Sequence, residues 1–343
     1  MSEFSGYEKM PNSFEKLGLS ESEFAELNKL QWVVTEKVHG ANFSFVYQNN
    51  NLKYAKRKEY LSWTDDFFGF QLIVNKLEKN IFLLFEKLNT QIQGSKYIIY
   101  GELFGGKYPH PEVPQIKDFH AIQTGVYYTP SIEFCAFDIA IQTDDTLESK
   151  YYLDYEMAIS YFKQFGIFYA KPLFIGKFNE AMNFNTRINS TIAKDLNLPE
   201  LKENLIEGVV IKPYSQRKTI SSRPIIKLKN SEFEEDKKFH QAEKWSYIPK
   251  ISSNAENLSF IMDELRNYVN LNRLESVVSK IGTLDFNNEN RVSEIKKEFL
   301  EDVITDFNEN NNELFNILSP EENEWIVERV KFEINKTIAS AKS

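Results

Sequence analysis

The period of the apolar residues changes near residue 250, and that change limits what this chain can fold into. Before it, apolar residues come in short runs at 97–104, 132–142, 205–213 and 224–229, a strand pattern. After it they recur at helical spacing: Leu258, Ile261, Leu265 and Tyr268; Leu274, Val277, Val278 and Ile281; Val292, Ile295, Phe299 and Val303. A fourth helix is expected at Ser319, an N-cap followed by Pro320 and the acids Glu321 and Glu322. Such a chain reads as α+β, with a domain of mixed, mainly antiparallel sheets and flanking helices at residues 1–240 and an all-helical domain at 250–343.

Within the first part, residues 32–47 return through the Asn49–Asn51 turn to residues 52–57, which predicts a hairpin with Lys37 at a kink relaxed by Gly40. Ile73, Leu77, Ile81, Leu84, Leu88 and Ile92 predict one long packing helix.

Charge is unevenly placed. The formal total is −9, yet residues 207–230 carry six basic side chains (Lys212, Arg217, Lys218, Arg223, Lys227, Lys229) against one acid. Residues 251–343 hold ten basic and eighteen acidic residues. The total argues against indiscriminate polyanion binding, whereas the local surplus suits phosphate. The longest apolar run, residues 81–85, is too short to cross a bilayer, and no basic region followed by an apolar stretch opens the chain, so an intracellular, cytoplasmic protein is expected. One cysteine, Cys135, forms no internal disulfide, and the four histidines, His39, His110, His120 and His240, make no zinc-ligand spacing with it.

Five segments carry chemistry, in the order KVHG from Lys37, YGEL ending at Leu103, FDIA from Phe137, EGVVIKP from Glu207 and IIKLKN from Ile225. Forming a phosphoramidate on an amine needs a lysine nucleophile, an aromatic face for a base, carboxylates for ribose and metal, and cations for phosphate charge. The segments supply those types in turn. Singly each has a plain alternative. Lys227 and Lys229, two apart on a strand, share a face and could mark a solvated edge; Phe137 could be a core aromatic; Glu102 and Glu207, beside Gly101 and Gly208, could pair with structural lysines. GELFGGK at 101–107 imitates a phosphate loop, but Tyr108 stands where a small hydroxyl should, and Pro109 and Pro111 follow where a helix should start.

Together EKVHGANF, AKR, YGELFGG, FDI, EGVVIKP and IKLKNSEF resemble RNA ligases of the RNA ligase 2 type, among the covalent nucleotidyltransferases, over nearly the whole chain. The resemblance implies a nucleotidyltransferase domain and an ATP-dependent enzyme that seals 3′-hydroxyl and 5′-phosphate RNA ends through AMP on Lys37. The substrate would be nicked duplex RNA or an RNA/DNA hybrid, the enzyme a monomer with no obligatory protein partner, and the process RNA repair. By the same resemblance Glu36, His39, Asn42, Arg57, Glu102 and Lys212 serve the nucleotide and Phe137 stacks on adenine. Glu207 and Asp138 serve Mg²⁺ or Mn²⁺, and Lys227 and Lys229 contact phosphate. Tyr7, Arg273, Asp302 and Asp306 are implied to serve the nucleic acid. Thr35 departs from relatives that carry Arg there; Lys212 or Arg57 would substitute.

Two other readings share these residues. A capping guanylyltransferase or DNA ligase uses a related lysine but usually adds an OB-fold barrel, which the helical pattern after residue 251 disfavours. A catalytically silent RNA-binding module is disfavoured by the intact lysines and carboxylates.

Overall fold

The computed structural model describes residues 4, 6–144, 146, 149–215, 222–233, 247, 255–311 and 313–341. The chain divides into two units, Met1–Tyr247 and Ile248–Ser343.

In the first unit, α1 (Glu21–Leu27) starts at Ser20, whose hydroxyl accepts from Glu23 N while Glu23 reaches back to Ser20 N, a reciprocal cap. The strands are β1 (Gln31–Glu36), β2 (Ala41–Gln48), β3 (Asn51–Lys56), β4 (Tyr60–Leu61), β5 (Lys96–Lys107), β6 (Thr129–Gln142), β7 (Lys150–Tyr152), β8 (Pro172–Lys177), β9 (Gly208–Pro213) and β10 (Ile226–Lys229). They form two sheets, of order β10-β9-β1-β8 and β4-β3-β2-β5-β6-β7. Every pairing between these strands is antiparallel.

Each sheet has one packed face and one turned toward a shared cleft. On the first sheet Trp32, Val34, Ile211 and Ile226 join Phe14, Leu27 and Phe178 in an apolar core, and Trp32 Nε1 donates to Leu27 O at 2.9 Å. Strand alternation sends Thr35, Val210, Lys212, Lys227 and Lys229 the other way, into the cleft. On the second sheet Phe43 and Phe45 meet Phe134 edge-on, and Phe43 also packs on Phe70 at the start of α2 (Phe70–Gln91). The expected stripe Ile73, Leu77, Ile81, Leu84 and Leu88 is buried along α2; Ile92 is its C-cap instead. Short helices α3 (Tyr155–Gln164), α4 (Phe178–Met182) and α5 (Ile192–Asp195) complete the unit.

The expected hairpin is corrected in one respect: β2 and β3 form it, while β1 belongs to the other sheet. Lys37 therefore lies on a crossover between sheets, not at a kink within one strand. The GELFGGK stretch lies wholly within β5, with Gly105 and Gly106 at positive φ beside an irregularity in register. It forms no loop leading into a helix.

The second unit holds α6 (Ala255–Tyr268), α7 (Leu271–Ile281), α8 (Glu289–Asn310) and α9 (Pro320–Ser340). Asn270, Asn288 and Ser319 cap the last three, and Ser319 with Glu322 makes the reciprocal arrangement that the sequence signalled. Leu258, Ile261, Leu265, Leu274, Val277, Ile295, Phe299 and Val303 are buried as the helical period required, joined by Ile326, Val330 and Ile334. No strand occurs among the unit's described residues. The OB-fold alternative has nothing to rest on there.

Candidate active site

The crossover is built by two glycines that admit close backbone approach. Lys37 N donates to Gly208 O at 2.9 Å, extending the β1–β9 ladder one step past its last rung at Glu36 and Val209. The chain then passes over β5, where a Cβ on Gly40 would lie 2.0 Å from Leu103 O, and enters β2 opposite Leu103. Gly208 is as constrained, because a Cβ there would lie 2.0 Å from Leu228 O on β10. Any larger residue would push β10 and Lys229 away.

What the crossover presents is a lysine held by a buried carboxylate. Glu207, 1% exposed, receives Lys37 Nζ at 2.6 Å on Oε2 and Lys229 Nζ at 2.8 Å on Oε1. His39 Nδ1 stands 3.2 Å from Oε2, and His39 N donates to Tyr128 OH at 2.9 Å. Burial alone would raise the proton affinity of Glu207, but the His39 hydrogen bond, the Lys37 charge and the Lys229 hydrogen bond outweigh it and hold the carboxyl well below its ordinary range.

Around this centre lies a cleft of about 730 Å³, lined by Thr35, Glu36, Lys37, Asn42, Arg57, Glu102, Phe137, Lys212, Lys227 and Lys229 among others. Glu102 faces Asn42 across the β2–β5 pairing. Burial, reinforced by the charge of Glu207 and opposed by Lys37, pushes Glu102 up to about 7. Glu36 is also buried and pushed up to about 7 by that burial, although its Oε2 accepts from Ser190 Oγ at 3.1 Å and Thr191 N at 3.3 Å. Among the described residues Glu36 Oε1 and Asn42 Oδ1 are buried acceptors with no hydrogen-bond partner, atoms suited to a ligand's donors.

Two further expected site residues lie in the floor of the cleft. Asp138, read as a metal ligand, has both oxygens engaged by protein: Lys212 Nζ at 2.7 Å on Oδ1, Arg223 at 2.8 Å and Tyr7 OH at 2.5 Å on Oδ2. Burial raises it, but Arg223 and Lys212 together hold it below the usual carboxylate range. It is a buried counter-ion. Tyr7, expected to serve the nucleic acid, lies in this floor as well, edge-on to Phe137 at 5.0 Å and to Tyr100 at 5.1 Å. Lys212 donates to Phe137 O at 2.9 Å as well as to Asp138, and burial lowers its proton affinity. Its ammonium is thus tied to the shelf, while Arg57 also lines the cleft.

Arg223 was counted in the basic stretch but not singled out, and the structure makes it central. Its guanidinium lies 3.5 Å from the Tyr152 ring centre while bonding Asp138 and Tyr7 OH. Tyr128, Ser190 and Thr191 were missed too. No local pattern marks them, since their partners lie far away in sequence. Arg217 and Lys218 lie outside the described residues.

The sequence pattern of the RNA ligase family matches residues 30–229, and that of the T4 RNA ligase 2 C-terminal domain matches residues 252–336. This chain belongs to the RNA ligase family. It is an ATP-dependent RNA ligase of the RNA ligase 2 type. The ligase is 29% identical over 322 residues to RNA-editing ligase 2, mitochondrial, of Trypanosoma brucei brucei, covering 81% of this chain and 76% of that protein. It is 29% identical over 320 residues to RNA-editing ligase 1, mitochondrial, of the same organism, covering 77% and 68%. A solved structure, Naegleria gruberi RNA ligase with PPi, matches at 15% identity and a TM-score of 0.43 over 69% of this chain and 60% of that one, a likeness that adds nothing to the assignment.

In the ligase's second unit Arg273 bonds Asp306 at 2.6 Å and donates to Asp302 O at 3.0 Å, while the Asp302 carboxylate takes Lys280 Nζ at 2.7 Å. The three residues assigned to nucleic acid there thus form one patch on α7 and α8. Among the described residues no helix is long and apolar enough to cross a membrane.

Among the described residues, no cluster of three or more His, Cys, Asp or Glu side chains forms a protein cage for a metal. Mg²⁺ is usually held by one or two carboxylates plus substrate phosphates and water. Glu102, which has no ion-pair partner among the described residues, fits that pattern as it stands; Glu207 and Asp138 each have both oxygens engaged, Glu207 by the partly exposed Lys37 and Lys229, which a bound nucleotide would draw away, and Asp138 by the buried Lys212 and by Arg223.

Proposed function

We propose that this ligase seals 3′-hydroxyl and 5′-phosphate RNA ends at nicks in a duplex, through AMP carried on Lys37. The observation that supports this best is the placing of Lys37 Nζ and Lys229 Nζ on one buried carboxylate, Glu207, at the edge of a cleft large enough for a nucleotide.

In the first step ATP lies with adenine on Phe137 and its exocyclic amine toward the buried Glu36 Oε1. Lys37, having left Glu207 and given up a proton to solvent, attacks the α-phosphorus; the N–P bond forms as the bond to pyrophosphate breaks and pyrophosphate leaves. Lys227 and Lys229 offset the charge gathering on the phosphate oxygens. Glu102 and Glu207 would hold Mg²⁺ or Mn²⁺, which would supply further charge neutralisation. AMP then passes to the RNA 5′-phosphate, and the 3′-hydroxyl displaces it. The duplex is read by shape and 2′-hydroxyls, with residues 207–230 taking phosphate contacts and the Arg273 patch acting in the last step. The buried thiol of Cys135 suits a reducing compartment, and residues 1–240 and 250–343 are read as the two domains.

The test is label transfer from [α-³²P]ATP to protein. Wild type is expected to take label and Lys37→Ala none. Labelling of the variant removes Lys37 from its role.

A further inference from the structure

Glu207 and Lys229 stand where their ladder ends. The β9–β10 pairing closes at Lys229 opposite Gly208, and Glu207 lies one residue outside it. Strand ends fray unless something beyond the last rung ties them.

Here that tie is one side chain. Asn230, 4% exposed, donates through Nδ2 to Ile206 O at 2.9 Å and to Thr186 O at 2.9 Å. Its Oδ1 accepts from Thr186 Oγ1 at 2.7 Å, and its backbone N donates to Glu207 O at 2.8 Å. Asn230 follows Lys229 directly, and its partners Ile206 and Glu207 are consecutive. It therefore grips both strands of the ion pair from outside and anchors them to the segment at Thr186. Both amide hydrogens are used and the carbonyl is satisfied, which no other side chain of this length achieves: Asp lacks the donors, and Leu lacks both. The exposed Arg187–Glu232 pair, 2.7 Å, joins the same two segments from the solvent side without touching Glu207 or Lys229.

We infer that Asn230 is a positioning residue that sets the Glu207–Lys229 geometry for adenylyl transfer, an inference that rests on the Lys37 reading above. Displacing the pair by a fraction of an ångström leaves nucleotide binding, which is spread over the cleft, but misaligns the groups that meet the α-phosphate.

Single-turnover labelling with [α-³²P]ATP over a range of concentrations separates maximal rate from apparent affinity. For Asn230→Ala the maximal rate is expected to fall about 30- to 100-fold with apparent ATP affinity within about threefold of wild type. Arg187→Ala, which cuts only the outer pair, should stay within about twofold in both. Should Asn230→Ala fail to fold, Thr186→Val, which removes one hydroxyl donor, is expected to lower the maximal rate about 3- to 10-fold at unchanged affinity. A maximal rate within about threefold of wild type for a folded Asn230→Ala, or an unchanged one for Thr186→Val, overturns the inference while leaving Lys37 in place. Absence of label on wild type overturns both readings.

Discussion

Lys37 and Glu207 lie 170 positions apart in sequence and meet at 2.6 Å, Nζ to Oε2. The contact exists because β1 pairs with β9, so that the residue after one strand and the residue before the other leave the sheet side by side. Burial makes the meeting consequential: Glu207 keeps its charge only because Lys37, Lys229 and His39 surround it.

Glu207→Gln keeps the shape and deletes the charge that gathers these groups. Adenylylation of Lys37 is expected to fall about 10²- to 10³-fold, as for loss of one preorganised electrostatic group. Because Lys37 and Lys229 are partly exposed, the stability change should stay below about 2 kcal/mol. Label transfer and urea unfolding on the same preparation check both.

Glu36→Gln has a pH signature. The folded protein holds Glu36 up to about 7, against 4.5 for the ordinary group, so between those values the unfolded chain has lost a proton that the folded one retains. Wild-type stability should therefore decline from this group as pH rises through that window, by up to about 3 kcal/mol, and the penalty is full above about 7. The variant lacks the decline. Its unfolding midpoint minus that of wild type should be larger at pH 8 than at pH 5; a constant difference would count against a raised Glu36.

Arg223→Met leaves Asp138 buried with one cation fewer. A loss of about 3 to 5 kcal/mol is expected, as when one partner of a buried ion pair is removed. Asp138→Asn in the same chain should recover part of it. A double-mutant cycle in urea gives the coupling, and additivity would show that the two do not act together.

Gly208→Ala puts a methyl 2.0 Å from Leu228 O, which is backbone and cannot swing aside. The expected cost is about 1 to 3 kcal/mol, with a larger fractional loss of label transfer because Lys229 moves with β10. Denaturation curves and labelling rates compared on one preparation test that order.

Arg273→Ala acts in the other unit. Label on Lys37 should persist near the wild-type level while joining of a nicked RNA duplex falls at least about tenfold. Equal loss of both would place Arg273 in folding, not in sealing.

Much of this was legible in the chain. The long helix over Phe70–Gln91 and the buried stripes of the second unit follow from periodicity, because a helix or strand reports its own buried face through spacing. Residue type and order singled out Lys37, Lys227 and Lys229, and all three line the cleft. The hairpin was misread because alternation is the same whether a strand pairs with the next one or with a distant one; β1 and β2 look continuous until their partners are known. For Asp138 and Tyr7 the sequence shows that a carboxylate and a phenol are present, not that they bond each other and share Arg223.

The sequence by itself therefore determined the element types, the change from a strand-bearing to an all-helical part and the residue types gathered in the cleft, since local spacing and side-chain chemistry carry these. Only the tertiary structure decided that β1 and β2 lie in different sheets, that Arg223 neutralises Asp138, and that Asn230 closes the strand end beside Glu207. Those are relations between distant segments, set by which backbones can approach and which buried charges must be matched.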